Sequence, residues 1–272
     1  MCVRGHSWRQ RQVGQSTAFA NADISPVMSL TPVPAPVVER RACANCLAHE
    51  FSLCAGIDHH QRHAARLDAL SVRDSFHRIA ARRTITHPRE NGDTVVFICS
   101  GWAVSAIALA GGGRQITAIL LPGDVISAAD LVAPLRGRSV EAVTDVVYRK
   151  LKLGELRTVL RNRPELMFRI VTALARERDA ADHLALDLGR RTSEQRIARL
   201  ILALHARLTD LDMIRGTRMD FPLRQRQIAD ATGLTPVHVC KVLRALTEDG
   251  YLRIEDRSLV LLDQPGLQQI AA

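Results

Sequence analysis

The sequence predicts an α+β fold built in three successive parts: an N-terminal β-roll, a long dimerisation helix and a C-terminal winged helix-turn-helix. Short β-rich runs separated by Gly and Pro occupy residues 83–153, which is typical of an all-β unit. Apolar residues at heptad spacing follow in residues 164–190 and indicate one long helix. Beyond them, two helical patterns joined by a glycine turn precede two strand-like runs, as in a winged helix-turn-helix.

Length and charge limit the classes of function. The chain has 272 residues, enough for two domains with cores of their own. Its net charge of +9 and its pI of about 9.9 favour a polyanionic partner, chiefly nucleic acid. No run of about eighteen apolar residues occurs, and residues 1–41 lack the apolar core of a signal peptide. We therefore expect a cytoplasmic protein with no membrane association. No catalytic triad or carboxylate pair stands out, so we expect no enzyme.

The β-roll is predicted from short runs rich in β-forming residues. The runs cover residues 94–98, 102–109, 116–121 and 140–147. Gly111-Gly-Gly113 and Pro122-Gly-Asp124 supply turns between them, which favours a roll or sandwich. A helix is expected ahead of the roll at about residues 65–79. The predicted parts are a mobile tail (1–40), a cysteine segment (41–60), the β-roll (61–160), the dimerisation helix (161–190) and the DNA-binding domain (191–272).

The dimerisation helix is predicted to begin at Pro164. Its apolar residues follow a heptad that only Glu177 interrupts: Met167, Ile170, Leu174, Ala181, Leu184 and Leu188. Such a seam pairs a helix with its copy in a homodimer, although the same helix could instead pack on its own β-domain. Thr192 and Gln195 form the pattern of a capping box that opens the next helix.

The second helix of the helix-turn-helix is the predicted DNA reader. Gly233 provides the turn, Thr235 is a good N-cap, and Pro236 stands at the first helical position. Val239, Leu243 and Leu246 fall on one apolar face at helical spacing. An ordinary αα-hairpin would show a similar pattern. The adjacent run of residues 250–262, which reads as a two-stranded wing turning near residue 256, favours DNA binding.

The candidate DNA-binding residues lie on the opposite face of this helix and on the wing. They are Thr235, Pro236, Val237, His238, Cys240, Lys241, Arg244, Arg253 and Arg257.

These parts, in this order, resemble the Crp/Fnr family of bacterial transcription regulators over roughly residues 70–270. The segments that carry the resemblance are Phe97-Ile-Cys-Ser-Gly-Trp102, Gly113-Arg-Gln-Ile-Thr-Ala-Ile-Leu-Leu-Pro-Gly-Asp-Val125, Ser193-Glu-Gln-Arg-Ile-Ala198 and Gly233-Leu-Thr-Pro-Val-His-Val239. The resemblance implies a cyclic-nucleotide-binding-like jelly roll, a homodimer on a palindromic double-stranded DNA operator, and RNA polymerase as a partner.

Cyclic AMP is not expected as an effector. The cyclic-AMP-binding branch uses a Gly-Glu pair and a later Arg-Ser to bind the ribose and the phosphate. Arg138-Ser139 stands near the second position, but the stretch after Gly123-Asp124 offers no matching carboxylate for the ribose. A buried nucleotide would keep an unpaired donor, at a cost of about 1–3 kcal/mol.

The oxygen-sensing Fnr branch carries an N-terminal cysteine cluster that holds a [4Fe–4S] centre. Cys43, Cys46 and Cys54 stand just before the β-roll, where that branch has its cluster. The resemblance therefore implies a [4Fe–4S] cofactor that senses oxygen or redox state. The main chemical rival is a zinc site of three cysteines with His49.

Two parts of the chain depart from the branch, the last strand of the roll and the reading helix. Its fourth cluster cysteine falls on the last strand of the roll, where this chain has Tyr148. Cys99 lies on the third strand, which neighbours the last strand in a jelly roll, so Cys99 is the predicted fourth ligand. A buried apolar cysteine is the other interpretation. On the reading helix, Val237, Cys240 and Lys241 replace the usual Glu, Ser and Arg, which puts the branch's TTGAT-type half-site in doubt.

Overall fold

The computed structural model describes residues 76–86, 94–126, 137–162 and 164–272. Its β-roll consists of two antiparallel sheets, with strand orders β1-β7-β3 and β2-β6-β4-β5. The strands are β1 (Phe76–Ile79), β2 (Thr84–Thr86), β3 (Thr94–Ser100), β4 (Ala103–Ala108), β5 (Arg114–Leu120), β6 (Arg138–Ala142) and β7 (Val146–Lys152). The predicted runs near residues 94, 102 and 116 are thus confirmed as strands.

Two predictions about the roll are wrong. The predicted helix at 65–79 ends in a strand, because Phe76–Ile79 pairs with β7; residues 65–75 lie outside the described residues. The run 140–147 is two strands, because the chain crosses between the sheets there. Val140 and Val146 still share one apolar cluster inside the roll. In both cases the pairing with strands that are distant in the chain decides the secondary structure. The local sequence pattern carries no information about that pairing.

A short helix, α1 (Leu153–Asn162), follows β7 and was not predicted. Leu153, Leu156 and Leu160 fall at i, i+3 and i+7, and this spacing could have revealed it. The helix packs on the outer face of β3 and β7, where Leu156 is buried against the same cluster as Val95.

The long helix α2 (Glu165–Arg190) follows Pro164, at the predicted place. Its first turns pack on the roll of the same chain, where Leu166 and Ile170 are fully buried beside Phe97 and Leu174 packs partly against them. Ile170 therefore belongs to the core of its own protomer, and its assignment to the dimer seam is corrected. The interpretation of a helix packed on its own β-domain holds for this end.

The C-terminal part combines helices with a small sheet. Its elements are α3 (Ser193–Asp210), β8 (Arg218–Asp220), α4 (Gln225–Thr232), α5 (Pro236–Glu248), β9 (Leu252–Glu255), β10 (Ser258–Leu261) and α6 (Gln264–Ala271). The capping box that opens α3 is confirmed. The Gln195 amide donates to the Thr192 hydroxyl at 3.3 Å, and the Thr192 amide donates to the Gln195 side chain at 2.9 Å.

One apolar cluster joins the roll to the C-terminal part. Trp102, Val104 and Ile116 face outward from the second sheet and belong to the same buried cluster as Ile201 of α3 and Ile228 of α4. The C-terminal part is therefore packed against the roll. In the described part of the chain, no helix is both long and apolar enough to cross a membrane.

Candidate nucleic-acid interface

Local hydrogen bonds fix the start of the reading helix α5. The Thr235 hydroxyl accepts from the His238 amide at 3.2 Å, and Pro236 follows at the first helical position. Gly233 adopts φ 67° and ψ 29°, a left-handed conformation that glycine takes without steric cost, and its amide donates to the Ala229 carbonyl. The turn and the cap together set the angle at which α5 leaves α4.

The inner face of α5 is buried in the domain core. Val239 and Leu246 are fully buried as predicted, and Leu243 is half-buried against the same cluster. Val242 is also buried and was not predicted. It lies at i+3 from Val239, so the helical period would have identified it.

The outer face of α5 is open to solvent. Val237 is 66% exposed, and the other candidate residues of this helix face are exposed as well: His238, Cys240, Lys241 and Arg244. An exposed face with two cations, a histidine and an apolar side chain suits the major groove, where base edges accept hydrogen bonds and thymine presents a methyl group.

Two of the candidate cations form exposed ion pairs. Arg244 Nε donates to Glu248 Oε1 at 2.7 Å, and this hydrogen bond raises the pKa of Arg244 above its ordinary value. Arg253 Nε lies 3.1 Å from Glu255 Oε1. Lys241, by contrast, has no acidic partner among the residues that the structure describes. Lys241 is therefore the cation of this face that a phosphate or a guanine can approach without competition.

The wing is a β-hairpin, as predicted. β9 and β10 pair antiparallel with Leu259 opposite Ile254, and β8 adds a third strand that was not predicted. Asp256 and Arg257 both have positive φ, 47° and 62°, as in a two-residue hairpin turn. Arg257 therefore lies at the exposed tip of the wing.

The candidate metal ligands fall in two places. Cys43, Cys46, Cys54 and His49 lie outside the described residues. Cys99 is half-buried at a bulge of β3, next to Ile98, which pairs with Tyr148 of β7. The prediction that the third and last strands are neighbours is thus confirmed. Tyr148 is buried, and its ring stacks on His77 with 5.2 Å between the ring centroids.

The geometry defines the class of the protein: a β-roll and a long helix joined to a winged helix-turn-helix whose reading face is free, that is, a DNA-binding protein. Comparison with known proteins agrees. Residues 195–270 match the Crp-like helix-turn-helix domain. The transcriptional activator protein FnrL of Cereibacter sphaeroides is 26% identical over 225 residues, 81% of this chain and 87% of the relative.

A second relative, the nitrogen fixation regulation protein FixK of Bradyrhizobium diazoefficiens, is 27% identical over 237 residues, 85% of this chain and 94% of the relative. The solved structure of FixK2 from Bradyrhizobium japonicum has a TM-score of 0.66 and 27% identity, covering 73% of this chain and 97% of that one. The chain therefore carries a Crp-like helix-turn-helix domain and is similar over most of its length to transcription regulators such as FnrL and FixK.

Proposed function

We propose that this chain is a Crp/Fnr-type transcription regulator, a homodimer that binds a palindromic operator and reports oxygen or redox state through a [4Fe–4S] cluster. The DNA-binding part of this proposal rests on the exposed outer face of the reading helix α5. The start of α5 is capped by Thr235, and the wing formed by β9 and β10 follows it in the chain. In a two-fold dimer the two reading helices enter successive major grooves, about 34 Å apart. Lys241 then donates to a guanine or a phosphate, and Val237 contacts a thymine methyl group.

Dimerisation is supported by an uncovered apolar strip at the start of α2. Met167, Phe168 and Val171 are 46%, 79% and 58% exposed. We infer that a second helix packs against these large apolar side chains, since monomeric proteins rarely expose such contiguous patches. Leu188, near the other end of α2, is also partly exposed. The strip lies beside Ile170 on α2, so the proposed seam is rotated relative to the predicted heptad.

The cluster is supported by the donor set and by the resemblance of the cysteine pattern to that of the oxygen-sensing Fnr branch. Thiolates are the ligands that iron–sulfur clusters take from proteins, and Cys43, Cys46 and Cys54 offer three of them within twelve residues. Cys99 remains the proposed fourth ligand, because it is partly exposed and lies beside the strand position where the Fnr branch has its own. A bound cluster supplies a centre that oxidation can remove. Loss of the cluster then shifts the protein between two arrangements of the dimer that differ in DNA affinity.

The decisive experiment is anaerobic purification followed by absorption spectroscopy and by iron and sulfide counts. We expect about four irons and four sulfides per protomer, with a visible absorption that bleaches in air. Stoichiometric zinc without sulfide would refute the oxygen sensor in favour of the Cys3His zinc site. Cyclic AMP should not bind at micromolar concentration, and calorimetry tests this separately.

A further inference from the structure

Three side chains from outside the helix-turn-helix bind three consecutive residues at the end of α4. Arg114 Nε donates to Asp230 Oδ2 at 2.5 Å, and Gln115 Nε2 donates to the Ala231 carbonyl at 3.2 Å. Arg196 Nη1 donates to the Thr232 carbonyl at 3.2 Å. We refer to Arg114, Gln115 and Arg196, together with residues 230–232, as the α4 clamp.

The α4 clamp satisfies groups that a helix cannot satisfy by itself. The last carbonyls of any α-helix lack an intrahelical N–H donor, and Ala231 and Thr232 are the last two residues of α4. Their partners come from β5 of the roll and from α3. The end of α4 is thus held by two other parts of the chain, and Gly233 and Leu234 alone separate it from the N-cap of the reading helix.

Arg114 is the ionic centre of the clamp. Its Nη1 also donates to Glu141 Oε2 of β6 at 2.7 Å, so one guanidinium bridges two carboxylates. All three side chains are partly buried, with 26%, 28% and 18% of Arg114, Glu141 and Asp230 exposed. Burial alone would lower the pKa of Arg114, but the hydrogen bonds to Glu141 and Asp230 outweigh it and raise that pKa. Arg114 therefore stays charged at neutral pH.

Arg196 connects the same point to the long helix. Its Nη2 donates to the Leu188 carbonyl at 3.0 Å, and its Nε donates to the Arg191 carbonyl at 3.0 Å. The Leu188 side chain packs against Gly233. Only glycine allows this close approach, since a Cβ at residue 233 would come within 2.4 Å of Leu188 Cδ2. The roll, the end of α2 and the helix-turn-helix therefore meet at the end of α4.

We propose that the α4 clamp positions the reading helix and makes its placement depend on the roll and on α2, with Arg114 as the positioning residue. The proposal rests on the proposed DNA binding. The candidate reading face is exposed while the clamp is closed, and we assign DNA binding to this clamped arrangement. Opening the clamp lets α4 and α5 move together, and ordering them on DNA then costs conformational entropy.

The substitution Asp230→Asn separates this role from simple electrostatics. It removes a negative charge from a DNA-binding protein, which by itself strengthens DNA binding. Loss of the clamp acts in the opposite direction. We expect operator affinity to fall by about fivefold, with an unchanged salt slope because phosphate contacts are untouched.

Asp212→Asn is the matched control. Asp212 is exposed, lies at a turn with φ 53°, and Asn tolerates this conformation as well as Asp does. It loses the same charge, so its affinity should stay equal or rise. An Asp230→Asn affinity equal to or above that of Asp212→Asn would overturn the proposal.

Hydrogen exchange tests the clamp without DNA. In Asp230→Asn, amides of α4 should exchange several-fold faster while those of β3 and β7 stay unchanged. Unchanged exchange in α4 would overturn the proposal even if DNA affinity fell. If the wild-type protein bound no DNA at all, the proposed function would fail, whereas the exchange result would still decide whether the clamp exists.

A double-mutant cycle identifies Arg114 as the partner. The losses of operator affinity caused by Arg114→Gln and by Asp230→Asn should not add up. The double variant should bind the operator about as tightly as the single variant that binds it less tightly. Additive losses would show that the two residues act separately and would overturn the assignment of Arg114. As a control for folding, the Tm of each variant is compared with that of the wild type.

Discussion

The DNA-binding part and the β-roll place their functional residues by different means. In the DNA-binding part, a cap, a proline, a glycine turn and a helical period within residues 228–246 form the reading face, and only its placement depends on the α4 clamp. In the roll, the neighbours Cys99 and Tyr148 come from strands about fifty residues apart and meet only because β3 pairs with β7. A reading face can thus be encoded in one contiguous stretch, whereas the fourth ligand of the proposed cluster needs the assembled fold.

The largest effect is expected from the cysteine segment. The triple variant Cys43→Ser/Cys46→Ser/Cys54→Ser should lose all iron and sulfide, because no other stretch of the sequence offers three thiolates so close together. Its thermal unfolding should change little, since the apolar clusters of the described residues are formed by other side chains. Iron and sulfide counts on anaerobic protein measure this.

Cys99→Ser is the companion variant. It should keep the cluster under nitrogen and lose it faster in air. If the cluster were lost in air at the same rate as in the wild type, Cys99 would be a core residue and not a ligand. If the triple variant kept its cluster, the sensing site would lie elsewhere in the chain.

The next effect concerns α2. Phe168→Glu/Val171→Glu should yield a folded monomer by light scattering, because both side chains are exposed in the protomer and would place charges in the proposed seam.

Ile170→Glu should behave differently, although it is the adjacent residue. Ile170 is 3% exposed and packs on the roll, so a buried carboxylate there should lower the free energy of unfolding by several kcal/mol. A Phe168→Glu/Val171→Glu variant that stayed dimeric would place the seam on another face of α2.

A smaller effect is expected on the reading face. Lys241→Ala should weaken operator binding by about tenfold, the loss of roughly 1–2 kcal/mol that a direct base or phosphate contact provides. Lys152→Ala, an exposed lysine on β7, removes the same charge away from the proposed interface and is the control. Equal losses for the two variants in a binding titration would show that only net charge matters and that α5 is not the reader.

The smallest effect is a pH dependence within α3. Burial lowers the pKa of His205 below its ordinary value, so the folded state binds this proton less readily than the unfolded chain does. The corresponding stability is therefore fully present above the unfolded-state pKa of about 6.5 and is lost as the pH falls through the folded-state pKa. Tm measured between pH 7 and pH 5 should fall less in His205→Gln than in the wild type. Identical slopes would assign the acid sensitivity to other groups.

The sequence by itself determined the features that depend on neighbours within a few residues. The capping box of Thr192 and Gln195, the Thr235-Pro236 start of the reading helix and the turn at residues 256–257 are all found where the pattern placed them. Each is closed by hydrogen bonds or steric limits that span at most four residues, so the local sequence contains all the partners.

Tertiary structure alone decided the features whose partners are far apart. Residues 76–79 became a strand because β7 lies beside them, and Ile170 became core because the roll covers that face of α2. Arg114 and Asp230 are 116 positions apart, and no periodicity relates them. Side chains so distant in the chain interact only after the cores have brought β5 and α4 together, and it is this packing that assigns them their contacts.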